Sequence, residues 1–124
     1  MRATAPLDFD SRSAAPELMD GPGLDPAELA AALEQLAFIN KSLDGHASSL
    51  DGLALLIPPG RRELDVLDVG SGGGDTARRI VEWAGHRGLS ARVHGVDLAP
   101  GTVSYARRMN AGLPGLEFAA SDLF

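Results

Sequence analysis

Three aspartates, Asp68, Asp97 and Asp122, each stand at or just beyond the end of a short apolar run, and glycines follow the first of them: Gly70-Ser71-Gly72-Gly73-Gly74. The run Val66, Leu67, Val69 reads as a buried parallel strand. The glycines let the backbone turn tightly and let a ligand come close where a Cβ would collide. A helix-competent run starts at Asp75 or Thr76, read as the N-cap, and its first turn offers free N–H groups at the positive end of the helix dipole. Strand, glycine turn and helix start make a nucleotide-binding geometry. Asp97 lies 27 residues after Gly70, near where an acid is expected to accept from two ribose hydroxyls.

The glycine spacing separates possible ligands. In the dinucleotide fingerprint a strand ends in Gly-x-Gly-x-x-Gly and the pyrophosphate sits on the helix N-terminus. Counted from Gly70, the third glycine falls on Asp75, whose carboxylate would occupy the place of a diphosphate. Counted from Gly72, the pattern is Gly72-x-Gly74-x-x-Ala77, a tolerated variant that starts two residues past the apparent strand end. An acid at the strand end followed by Gly-x-Gly-x-Gly suits a ligand with a cationic ammonium and no phosphate.

The segment Leu67-Asp68-Val69-Gly70-Ser71-Gly72-Gly73-Gly74 resembles the first motif of class I S-adenosylmethionine-dependent methyltransferases. Val93-His94-Gly95-Val96-Asp97-Leu98 is similar to their second strand, and Leu116-Glu117-Phe118-Ala119-Ala120-Ser121-Asp122 to their third. The resemblance covers roughly residues 62–124 and implies S-adenosylmethionine as cofactor. It implies that Asp68 holds the methionine ammonium, against the plainer reading of a turn aspartate that caps the next helix. Gly70, Ser71 and Gly72 would line the methionine and ribose region; Gly74 would either join them or serve helix packing. Asp97 would bind the ribose hydroxyls and Leu98 would pack on the adenine. Asp122 would accept from the adenine amino group, with Leu123 or Ser121 beside the ring.

The activity implied is methyl transfer to a small-molecule acceptor of quinone, phenolic or polyketide type. Pro16-Glu17-Leu18-Met19-Asp20 and the helix to Ile39-Asn40 carry a looser similarity to such enzymes. No residue stands out as a general base. Two rivals stay open: a nicotinamide-dependent oxidoreductase in the Gly72 register, and a non-catalytic module, either an inactive fragment or a subunit that binds a partner.

The elements that must position these residues follow from pattern. Residues 1–24 read as a flexible arm, with a short helical turn at Pro16–Asp20. Residues 25–60 read as a helical cap or lid segment. Asp25 caps its first helix and Pro26 opens it, with Leu29, Ala32, Leu33, Leu36 and Ile39 inward. A second helix runs from His46 to Ile57, with Leu50, Leu53, Ala54 and Ile57 inward, and Pro58-Pro59-Gly60 stops it. Residues 61–124 alternate: strand 65–69, helix 75–87 ended by Gly88, strand 91–97, helix 101–110, strand 116–120. This predicts an α/β fold, a Rossmann-like parallel sheet of order 3-2-1 with right-handed crossovers. The methyltransferase fold it resembles continues with four more strands. The expectation is therefore the N-terminal part of a longer domain, with strand 1 presenting an apolar edge open to self-association.

Composition narrows the field further. The 124 residues allow one domain, with 44% hydrophobic and 23% charged residues. No apolar run approaches a membrane span and the N-terminus lacks signal-peptide character, so a cytoplasmic protein is expected. With no cysteine there is no disulfide, thiolate metal site or cysteine nucleophile. His46, His86 and His94 lack metal-ligand spacing and read as structural or surface residues. The net charge of −6 resides in residues 1–60, which hold three basic and nine acidic side chains; residues 61–124 hold eight of each. Neither half offers the basic footprint of a nucleic-acid binder.

Overall fold

The computed structural model describes residues 24–122. The expected arm, its Pro16–Asp20 turn and Leu123 lie outside these residues. In chain order the elements are α1 (Pro26–Ser42), α2 (Gly45–Leu56), β1 (Glu63–Val69), α3 (Asp75–His86), β2 (Ser90–Asp97), α4 (Pro100–Met109) and β3 (Leu116–Ala120).

Local signals explain most boundaries. The Asp25 side chain accepts from the Ala27 N–H at 3.5 Å, and Pro26 fills the first helical position, where its missing N–H costs nothing. Asp44, at φ +56°, makes the left-handed turn between α1 and α2, a conformation aspartate tolerates. After α3 the Leu89 N–H reaches Ala84 O and the Gly88 N–H reaches Gly85 O, closing the helix end around Gly88 as expected.

The three strands are parallel, in the order β1-β2-β3, which is the predicted order. The register pairs Asp68 with Gly95, and Gly95 with Phe118. Strand alternation then divides the sheet into two faces. Val66 and Asp68, Val93 and Gly95, and Leu116 and Phe118 fall on one face. The core forms there, from Ala77 and Ile80 of α3, Val93, Val103 and Ala106 of α4, and Phe118, with Leu50 and Leu53 of α2 at its margin. On the other face Leu67 and Val69 are 61% and 59% exposed. The strand expected to be buried is therefore buried on one side, because α3 and α4, the helices that make the main contacts with the sheet among the described residues, pack on its core face. Lower on that bare face Arg92 pairs with Asp65 at 2.9 Å and His94 with Glu117 at 3.2 Å.

Two further expectations are corrected. Neither Asp75 nor Thr76 is the N-cap of α3: Gly74 is, at φ +79° and with no side-chain cap, and Asp75 is the first helical residue. In α1 the expected inward face is narrower than the pattern. Leu33 is buried, but Leu36 and Ile39 are about half exposed.

Candidate cofactor site

The carboxyl ends of the three strands meet at one rim, and the β1–α3 and β2–α4 turns leave from it. A shallow depression of about 170 Å³ opens there, lined by Val69, Gly70, Val96, Asp97, Leu98, Ser121 and Asp122. Ligand sites typically enclose about 300–1000 Å³, so this one seats part of a ligand. Gly70 stands at its edge at φ +72°, with open space where a side chain would begin. Glycine is needed there for the turn and leaves the backbone approachable.

Asp97 organises the rim. Its Oδ2 accepts from the Gly72 N–H at 3.0 Å and its Oδ1 from the Ala99 N–H at 3.1 Å. The acid at the end of β2 thus pins the glycine turn after β1. Each oxygen keeps further acceptor capacity. Gly70 N–H and Ser71 N–H both donate to Val96 O, at 2.8 and 3.0 Å, so the turn is also tied to the β2 backbone.

The remaining predicted residues divide between the depression and the ground beneath the turn. Leu98 is 64% exposed and presents an apolar side chain to the depression, beside Asp122. Ser71 is turned into the core and its buried Oγ has no partner. Gly74 serves packing: a Cβ there would lie 2.5 Å from Phe118 Cζ and 2.8 Å from Asn110 Nδ2. A Cβ on Gly72 would meet Leu33 Cδ2 of α1 at 4.0 Å. Asp68 lies on the helix-covered side of β1, half-buried, and its Oδ2 is buried without a partner. Burial, and then the nearby Asp75 carboxylate, push the Asp68 carboxyl above its ordinary range.

The structure therefore gathers Gly70, Asp97, Leu98 and Asp122 at one depression and sets Asp68, Ser71, Gly72 and Gly74 beneath or beside the turn. Sequence reasoning missed Val69 and Val96. The signal was available: each is the last bare-face residue of its strand, adjacent in register. It also missed the contacts of Asp75 with Asn40 and His46, which lie 35 and 29 residues away along the chain and leave no local pattern. Among the described residues no group of histidines and acids could hold a metal ion, and no helix is long and apolar enough to cross a membrane.

No family model and no curated protein matches the chain. Solved structures do. A structure of human N-acetylserotonin methyltransferase in complex with SAM is similar over 79% of this chain, with a TM-score of 0.58 and 18% identity. A chain from the complex between the Haloferax volcanii Trm112 methyltransferase activator and the putative methyltransferase is similar over 77%, with a TM-score of 0.50 and 24% identity. The present chain spans 25% and 39% of those two chains. At these identities the likeness is one of fold: the α/β unit described here is a partial, Rossmann-like fold of the kind found in methyltransferases.

Proposed function

We propose that this chain binds S-adenosylmethionine at the carboxyl ends of β1–β3 and supplies the cofactor-binding part of a methyltransferase. The observation that carries this reading is the meeting of Gly70, Asp97, Leu98 and Asp122 around one depression, on a fold of the methyltransferase kind. The residues fit the cofactor in kind. A carboxylate with spare acceptor capacity suits a ribose diol, an exposed leucine suits an adenine face, and an approachable glycine turn suits the chain that links them. Asp68, with a buried and unpartnered carboxylate oxygen, suits an ammonium.

Bound there, the cofactor supplies an electrophilic methyl group on sulfur. The protein's work is then orientation and exclusion of water. Asp97 holds the nucleoside end against the rim, Asp68 draws the ammonium toward β1, and Leu98, Val69 and Val96 keep water from the apolar ring. Among rival cofactors a dinucleotide fits less well, because Asp75 places a carboxylate in the first turn of α3, where a pyrophosphate would lie. The acceptor belongs to the same proposal: a small molecule of quinone, phenolic or polyketide type.

Thermal unfolding with and without S-adenosylhomocysteine tests the reading, with NAD and Asp97→Ala as controls. Ligand at about a hundredfold over its Kd adds about 2.7 kcal/mol to the folded state. The expected result is a rise in Tm of several degrees that NAD does not give and Asp97→Ala loses. A rise with NAD alone would replace the reading.

A further inference from the structure

The α1–α2 hairpin reaches the site through three polar contacts to the first turn of α3. Asn40 Nδ2 donates to Asp75 Oδ2 at 3.2 Å. His46 Nε2 lies 3.2 Å from the same oxygen, and His46 Nδ1 lies 3.3 Å from Thr76 Oγ1. The His46 side chain is buried, although it is polar and sits at the start of a short helix. Both its ring nitrogens are engaged: with Nε2–H donated to Asp75, Nδ1 accepts from the Thr76 hydroxyl, and a charged ring donates to both. Side chains from two helices of the hairpin thus converge on one carboxylate.

That carboxylate has a neighbour that matters. Asp75 is the charged group that acts on Asp68, and Asp68 is the acid with a buried, unpartnered oxygen. Two carboxylates in each other's field do not ionise independently. Whatever neutralises Asp75 eases the ionisation of Asp68, and an ionised Asp68 is what a cationic ligand group requires.

We propose that Asn40 and His46 are positioning residues of the cofactor site: they hold the Asp75 carboxylate and, through it, set how readily Asp68 accepts a cationic ligand group. This rests on the S-adenosylmethionine reading above. The hairpin then does more than cover the glycine turn. It supplies the polar contacts that hold the Asp75 carboxylate at the start of α3, in the field of Asp68 at the end of β1. Around Asp75 stand Asn40 from α1 and His46 from α2, which contact it, Lys41 from α1 and Arg78, Arg79 and Glu82 from its own helix, which line the same groove, and Asp68 from β1 and Tyr105 from α4, which lie in its field.

The direction of each effect follows. Binding of the ammonium needs Asp68 ionised, so affinity falls as pH drops through the Asp68 titration. Asp75→Asn removes the like charge and keeps the side-chain shape, so Asp68 ionises at lower pH and binding survives further into acid. His46 meets Asp75 Oδ2 and Thr76 Oγ1 with its two ring nitrogens, so His46→Leu removes the polar contact that offsets the Asp75 charge, and binding is lost at higher pH. Asn40→Ala acts in the same direction as His46→Leu, more weakly.

The test is titration calorimetry of S-adenosylhomocysteine into the full 124-residue chain from neutral pH downward through the pH at which binding is half lost, with unfolding of each unliganded variant as a fold control. The expected result is a midpoint displaced to lower pH by Asp75→Asn and to higher pH by His46→Leu. A displacement of one pH unit reads as about a tenfold change in affinity on the acid side. A purely structural contact would move both variants the same way, or change the unfolding temperature alone, and would overturn the proposal. Should His46→Leu not fold, Asp75→Asn still decides, because an unmoved midpoint contradicts the proposal. A wild-type chain that binds with normal affinity while every variant matches it overturns this inference alone. A wild-type chain that does not bind overturns the cofactor reading and this inference together.

Discussion

The hairpin of α1 and α2 and the α/β unit that follows it are held by different forces. In the α/β unit Ala77, Ile80, Val93, Val103, Ala106 and Phe118 close into one buried cluster between the sheet and two helices. In the hairpin Leu33 and His46 are buried, while Phe38, Leu43, Leu55 and Leu56 are among its most exposed side chains. The hairpin's apolar content is no lower, but less of it meets a partner. Its attachment depends on Leu33, which packs at the glycine turn, and on the polar contacts of Asn40 and His46 with α3. Apolar burial is undirected and fixes the scaffold, whereas directed hydrogen bonds fix where two particular groups sit. The site lies where these two kinds of attachment meet.

Truncating Ile80 should break the scaffold side of this comparison most severely. Ile80→Ala leaves a cavity in a cluster that cannot collapse easily, and should cost about 2–4 kcal/mol in denaturant unfolding. A cost below about 1 kcal/mol would place the stability elsewhere.

Asp68→Asn should separate stability from binding. Burial and Asp75 raise the folded-state titration of Asp68 above its unfolded value of 3.8. The folded chain therefore binds more protons than the unfolded chain in that window, and stability gains as pH falls through it. At neutral pH the ionised acid is a cost. Asp68→Asn should raise Tm at neutral pH, with a smaller gain in acid, while weakening S-adenosylhomocysteine binding. A fall in Tm at neutral pH would mean that the carboxylate is stabilised by its surroundings.

On the hairpin side Leu55→Ser should change stability by no more than about 0.5 kcal/mol, since that side chain is 88% exposed. A larger loss would show that the hairpin's outer face is covered in solution.

The same contrast explains what could be read in the sequence. The α/β unit was legible because strand and helix periods, glycine punctuation and the strand-end acids are local signals that agree with one another. Elements and strand order followed from them, and Gly70, Asp97, Leu98 and Asp122 do come together. Other features depend on tertiary context. The exposure of Leu36 and Ile39 reflects how little of α1 meets a neighbour. The cap of α3 went to Gly74 because Phe118 and Asn110 crowd that position and its backbone is left-handed. Asp75, freed from capping, is held by residues of the distant hairpin. The bare face of β1 likewise depends on which helices pack on the sheet, and no pattern within the strand records that.

The most direct test of the central claim is a backbone amide NMR titration of the 124-residue chain with S-adenosylhomocysteine. Binding at the strand ends shifts Gly70, Gly72, Asp97, Leu98 and Asp122 together along one saturable curve, while Ala111, Gly112 and Leu113, which line a separate groove beside β3, stay in place. Shifts centred on that groove, or none at saturating ligand, would contradict it.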